Sequence, residues 1–115
     1  MIIWITGAPG SGKTTLAQQW LKAFPTALHL DGDEVRKWLT PDCTFTLEDR
    51  RKHALRVYEV AKRASEAGSN VIVSLVAHPP GPVGLLIWVD GPPRKELWKG
   101  TTYTPPAHPD IVVKT

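Results

Sequence analysis

Cysteine is almost absent: Cys43 is the only one in 115 residues, so no disulfide can close within the chain. Long apolar runs are absent too. No stretch approaches the roughly 18 residues of a membrane span, and the apolar opening, Ile2 to Ile5, is cut off at once by Thr6-Gly7-Ala8-Pro9-Gly10. That opening is too short for a signal peptide and has no basic leader. A reducing, cytoplasmic setting without a membrane partner is the expectation. Missing as well is the continuous basic stripe of a nucleic-acid binder. The net charge is +3 and the pI ≈ 9.2, but residues 1–30 carry +2, 31–49 carry −4, 50–68 carry +4 and 69–115 carry +1. Acidic and basic blocks adjoin, which suits a small anionic ligand better than a polynucleotide. Helix-forming sequence is scarce at the far end, where eight of the eleven prolines lie at or after Pro79. The last third must be loop-rich.

What is present fits one small domain over residues 1–115, with 42% apolar and 22% charged residues. Met1-Ile2-Ile3-Trp4-Ile5 reads as a buried parallel strand, because it is apolar at every position and rich in β-branched residues. A helix is expected from Lys13 to Phe24, with Leu16, Trp20, Ala23 and Phe24 at helical spacing and Pro25 beyond. Ala27 to Leu30 is a second strand, and a brief helix is expected from Glu34 to Leu39. The longest helix should run from Leu47 to Ala67, with Thr46 as N-cap, Glu48 and Asp49 in the first turn and Gly68 just past the end. Asn70 to Val76, Leu85 to Asp90 and Ile111 to Val113 complete the strands. Alternating strands and helices predict an α/β domain on a mainly parallel sheet. Only Ala77 to Gly84 join the third strand to the fourth. Eight extended residues reach about 25 Å, against about 20 Å for the return along a strand, so a taut parallel crossover is favoured over an antiparallel hairpin.

Gly7-Ala8-Pro9-Gly10-Ser11-Gly12-Lys13-Thr14 matches G-x-x-x-x-G-K-[ST], and it stands between a strand and a helix, where a phosphate-binding loop must stand. Its backbone N–H groups would face phosphate oxygens and the helix N-terminus would add partial positive charge. Lys13 would reach the β- and γ-phosphates of ATP, the Thr14 hydroxyl would hold Mg²⁺, and Thr15 would complete the nucleotide contacts. Asp31-Gly32-Asp33 follows the second strand and should reach the same sheet edge. One of these carboxylates, Asp31, would hold the metal, and Asp33 would orient or deprotonate an attacking hydroxyl. Either acid could instead cap the next helix.

Beyond the loop, Leu30-Asp31-Gly32-Asp33-Glu34-Val35-Arg36, Phe45-Thr46-Leu47-Glu48-Asp49-Arg50, Glu59-Val60-Ala61-Lys62, Val71-Ile72-Val73-Ser74 and Tyr103-Thr104-Pro105-Pro106 together resemble the adenylylsulfate kinase family. The likeness is nearly continuous from Ile2 to Val76 and patchy afterwards. It implies a P-loop nucleoside triphosphate hydrolase fold, truncated after the third strand, and transfer of the ATP γ-phosphate to the 3′-hydroxyl of adenosine 5′-phosphosulfate. It also implies a homodimer. Carried over residue by residue, it makes Arg36 and Arg50 grips for the phosphosulfate, with Arg50 among the catalytic groups beside Lys13 and Asp33. Phe45 becomes a stacking face for the substrate adenine, Asp31 a substrate contact as well as a metal ligand, and Ser74 a neighbour of the acceptor.

The sequence also departs from that family. The family's Asn three residues after the Glu-Asp-Arg arginine is His53 here, its paired arginines are Leu55-Arg56, and its Ser-Pro-Tyr-Arg segment is replaced by Ala77-His78-Pro79-Pro80. Between Asp90 and Tyr103 the family's helix and lid shrink to one short expected helix. There Arg94, Lys95 or Lys99 would supply charge and Trp98 a stacking face. Loss of a lid should weaken transfer or admit water.

Overall fold

Ile2 to Ile5 is apolar at every position because both faces of its strand are covered. In the computed structural model, which describes residues 1–91 and 103–115, this segment is the centre of a five-stranded sheet. The strands are β1 (Ile2–Gly7), β2 (Leu28–Asp31), β3 (Val71–Ser74), β4 (Leu85–Asp90) and β5 (Ile111–Lys114). They lie in the order β2-β3-β1-β4-β5, with every neighbouring pair parallel. Three helices are described: α1 (Lys13–Ala23), α2 (Gly32–Val35) and α3 (Leu47–Glu66).

The strand period of two divides the core. Ile2 and Trp4 of β1 join Val71 and Val73 of β3 and the α3 stripe Ala54, Val57, Tyr58 and Ala61 on one side. Ile3 and Ile5 join Ile72, Ile87, Val89 and Ala17 of α1 on the other. Trp4, Ile5, Ile72 and Val73 are fully buried, and truncating a fully buried Trp or Phe to Ala costs about 3–5 kcal/mol. The acidic and basic blocks meet where Arg56 forks onto Asp42, at 2.6 and 2.9 Å.

Beyond β3 the sheet gains two more strands, and β4 is parallel, as the taut strap requires. The strap crosses β1 on the α3 side and takes the place of a crossover helix: Trp4 Nε1 donates to Ala77 O at 2.9 Å, Tyr58 Oη to Pro82 O at 2.7 Å, and Ala77 and Val83 pack on the α3-side core.

One short element differs from expectation. The helix expected over Glu34–Leu39 is α2, Gly32–Val35, beginning and ending earlier. It starts early because the Asp31 carboxylate caps it, accepting from Glu34 N at 3.4 Å. It ends early because Val35 O accepts the amides of Trp38, Leu39 and Thr40 together, closing the chain into turns. The helix expected after Asp90, with Arg94, Lys95, Trp98 and Lys99, lies outside the described residues.

Candidate functional site

The loop between β1 and α1 leaves no room for a side chain where it leaves the strand, at Gly7. A Cβ on Gly7 would stand 2.6 Å from Ser11 Oγ and 2.9 Å from Val89 O, so only glycine lets the strand turn away there. Gly12 enters α1 with φ 109, a left-handed conformation that favours glycine. It gives the helix no side-chain cap, and no acidic residue stands in the first turn. A helix begins with N–H groups that have no intrahelical acceptor. Here they and the positive end of the dipole are left for an external anion. Lys13 folds back over the loop, with Nζ donating to Ala8 O at 2.9 Å.

Parallel pairing brings the acids to this loop. Asp31 ends β2 in register with Ser74 of β3. Its Oδ1 accepts from Ser74 Oγ at 2.8 Å and from Thr14 Oγ1, the first turn of α1, at 2.9 Å. Burial pushes the Asp31 carboxyl up, but the hydrogen bonds from Ser74, Thr14 and the Glu34 amide, with the nearby His29, outweigh it and hold it below its ordinary value. His29 Nε2 lies 2.9 Å from Ser74 Oγ. Burial keeps the His29 pKa below its ordinary value, against the pull of Asp31.

Around these groups lies a cavity of about 1050 Å³. Pro9, Gly10, Gly12, Lys13, Thr14 and Thr15 form its loop side. Asp31, Asp33, Arg36, Arg50 and Ser74 reach it from the sheet edge and α3. Gly7, Ala8 and Ser11, expected among the nucleotide contacts, do not line it; Ala8 and Ser11 are buried. Phe45 stands outside the wall, 46% exposed, with the Arg36 guanidinium 4.2 Å over its ring. Arg36 is held by the carbonyls of Cys43 and Thr44, at 3.0 and 3.3 Å. Of the two acids, Asp31 caps α2. Asp33 faces the cavity without that duty.

Three residues were not singled out for the site on sequence grounds. His53 is 3% exposed; its Nδ1 lies 2.7 Å from Thr40 Oγ1, and its Nε2 has no hydrogen-bond partner among the described residues although the side chain lines the cavity. Burial, with Arg36 and Arg56 nearby, lowers its pKa to about 4. Tyr103 comes from far along the chain to the same wall. Thr6 Oγ1 donates to Val76 O at 2.8 Å, so the 3.1 Å contact with Tyr103 is made by the phenol donating. His29 reaches Asp31 only through Ser74. Its alternation with Asp31 on one strand was the available signal. His78 is a loop tie: its ring N–H donates to Thr104 O at 2.7 Å.

A hydroxyl, a carboxylate and a phosphate-binding loop at one point form an oxygen donor set suited to a hard cation such as Mg²⁺. The family model described as Adenylylsulphate kinase matches residues 1–80. An adenylyl-sulfate kinase of Shewanella amazonensis is 46% identical over 80 residues, covering 66% of this chain and 40% of its own. A chloroplastic adenylyl-sulfate kinase of Arabidopsis thaliana is 44% identical over 80 residues, covering 66% and 29%; a probable one of Archaeoglobus fulgidus is also 44% identical, covering 66% and 52%. The chain thus spans about half or less of the length of these relatives. Among solved structures, the Mycobacterium tuberculosis APS kinase in complex with AMPPNP and APS has the same fold, with a TM-score of 0.76 at 23% identity over 98% of this chain and 87% of that one. With the phosphate loop, the Asp31–Thr14 bond and the family match all inside the first 80 residues, the chain belongs to the adenylylsulfate kinase family.

Proposed function

We propose that this chain transfers the γ-phosphoryl group of ATP to a hydroxyl of a small anionic acceptor, with the 3′-hydroxyl of adenosine 5′-phosphosulfate the leading candidate, and that residues 1–115 act as one P-loop domain. The observation that carries the reading is the 2.9 Å bond from Thr14 to Asp31 on the wall of a cavity that Arg36 and Arg50 also line. It supports the reading because a hydroxyl and a carboxylate meet on the wall of the cavity that the loop and two arginines also line.

In this reading the loop amides and Lys13 hold the polyphosphate, and Thr14 and Asp31 hold Mg²⁺. When bound, the ion neutralises charge on the transferring group. Asp33 accepts a hydrogen bond from the acceptor hydroxyl and takes its proton as the new O–P bond forms and the bond to the β-phosphate oxygen breaks. Arg36 and Arg50 hold the acceptor's anionic end by charge-assisted bonds. Phe45, under Arg36, offers a face to the acceptor's base, and Ser74 fixes Asp31. Positioning and electrostatics supply most of the rate.

The test is ADP release from Mg·ATP against a panel of hydroxyl acceptors that includes adenosine 5′-phosphosulfate. Release that depends on the sulfate nucleotide is the expected result; release with none of the acceptors sinks the reading. One observation favours a second reading, a nucleotide-binding protein with little or no transfer: the family match stops at residue 80, ahead of the departures that follow β3. Calorimetry would then show ATP binding without turnover. A homodimer belongs to the family expectation and is read by sedimentation velocity. Among the described residues no helix is long and apolar enough to cross a membrane.

A further inference from the structure

His29 has no part in the transfer scheme, yet it is hydrogen-bonded into the middle of the site. It stands two residues before Asp31 on β2, so the two side chains leave the same face of the strand. The β2·β3 register sets Ser74 beside Asp31 and Ile72 beside His29. A continuous line results: His29 Nε2 to Ser74 Oγ at 2.9 Å, Ser74 Oγ to Asp31 Oδ1 at 2.8 Å, and Thr14 Oγ1 to that same oxygen at 2.9 Å.

Counting hydrogens gives the line a direction. A serine hydroxyl has one hydrogen, and an ionised carboxylate only accepts. The Ser74 hydrogen therefore goes to Asp31, and the hydrogen between His29 and Ser74 has to come from Nε2. If Nε2 carried no hydrogen, it would compete with Oδ1 for the one that Ser74 owns, and Asp31 Oδ1 would lose one of the two donors it accepts from. Bonds in such a chain polarise one another, so a donor at the far end strengthens the bond at the near end.

We infer that His29 is a positioning residue: by donating from Nε2 it aims the Ser74 hydroxyl at Asp31 and so holds that carboxylate against Thr14. The inference rests on the phosphotransfer reading, in which Thr14 and Asp31 hold Mg²⁺. Partners outside the immediate ligands commonly change metal affinity by about 10- to 100-fold. His29 is one bond further out, and its expected effect is smaller.

The probe is Mn²⁺, followed by electron paramagnetic resonance as it binds the full chain together with a non-hydrolysable ATP analogue. His29→Ala is expected to weaken Mn²⁺ binding about three- to tenfold. His29→Gln, whose amide N–H reaches where Nε2 does, is expected to recover affinity to within about twofold. His29→Ala combined with Ser74→Ala should bind no more weakly than Ser74→Ala alone, because a residue acting only through Ser74 has nothing left to act on. Should His29→Ala not fold, His29→Leu, which refills the half-buried space without a donor, is read against His29→Gln. Unchanged Mn²⁺ affinity in the variant without a donor, or losses that add in the double variant, would overturn the positioning role alone. If wild-type protein takes up no Mn²⁺ with the analogue, the phosphotransfer reading falls and this inference with it.

Discussion

Two helices begin beside the same cavity in opposite ways. α3 satisfies its own start: Thr46 Oγ1 accepts from Asp49 N at 3.2 Å, Glu48 and Asp49 place negative charge in the first turn, and the Asp49 carboxylate ties down Thr44 N at 2.9 Å. α1 does none of this, since its N-cap is a glycine without a side chain and its first turn holds no acid. Capping is worth about 1 kcal/mol and first-turn acids several tenths more. A chain that uses both devices at one helix and neither at the other has left α1 for a charge from outside. In the proposed reading the uncapped start belongs to the ligand, and the capped start to the fold.

Removing the cation that stands beside the open end should have the largest effect. Lys13→Ala is expected to lower transfer, and affinity for an ATP analogue, by about 10²- to 10³-fold, the range for losing one preorganised donor at a developing charge. Its melting temperature should change little. Steady-state ADP release and calorimetry read the two quantities. A Lys13→Ala protein that binds and turns over normally would make the start of α1 an ordinary turn and erase the contrast between the helices.

The next effect comes from α3 and is a matter of pH. Unfolded, the His53 imidazole titrates near 6.5; folded, near 4, because burial and two nearby arginines disfavour its charge. Between those values the unfolded chain binds a proton that the folded chain refuses. Stability is therefore expected to fall as pH drops from 6.5 toward 4, by at most about 3 kcal/mol, and to change no further from this group below that. His53→Asn, which puts the family's residue at this position, should flatten that slope in thermal melts taken across the window. An equally steep slope in the variant would assign the acid sensitivity to other groups.

Legibility in the sequence followed how local each signal was. The phosphate loop, β1 and the Thr46 cap are fixed by neighbours in sequence, and each was readable from a few adjacent residues. The parallel direction of β4 was favoured over a hairpin because eight extended residues suffice to cross, and the pairing is parallel. α2 was misplaced because its boundaries depend on two local hydrogen-bond choices, the Asp31 cap and the three amides on Val35 O, that composition does not reveal. His29 was missed because its partner is 45 residues away and is reached only through strand register. Arg56, the one arginine left of the family's pair, forks onto Asp42, a partner that only the fold reveals. Sequence gives residue types around a cavity more readily than it gives their hydrogen-bond directions.

A smaller effect is expected at the hinge of α1 itself. Gly12→Ala forces a Cβ into a left-handed backbone at φ 109, which costs about 1–2 kcal/mol. In a domain of this size that lowers the melting temperature by roughly 4–8 °C per kcal/mol. The nearest atom to the new methyl, Thr115 Cγ2, is 3.9 Å away, so backbone strain and not a clash is being measured. Because the strained residue is also the mouth of the loop, ATP-analogue affinity should fall with stability. An unchanged affinity in a destabilised protein would separate the loop's shape from its ligand.

Thr46→Ala is the mirror of that experiment and the mildest of the set. It removes the oxygen that accepts Asp49 N, a change worth about 1 kcal/mol at a helix N-cap. The first-turn acids and the Asp49–Thr44 bonds remain, so the helix frays without melting. The melting temperature should fall by about 4–8 °C, with ATP-analogue affinity unchanged, because nothing at Thr46 faces the phosphate loop. The pair of variants then divides cleanly: damage at the start of α1 reaches the nucleotide, and damage at the start of α3 reaches only stability. If Thr46→Ala weakened analogue binding as much as Gly12→Ala does, the two helix starts would be parts of one coupled structure, and the assignment of one to ligand and the other to fold would be wrong.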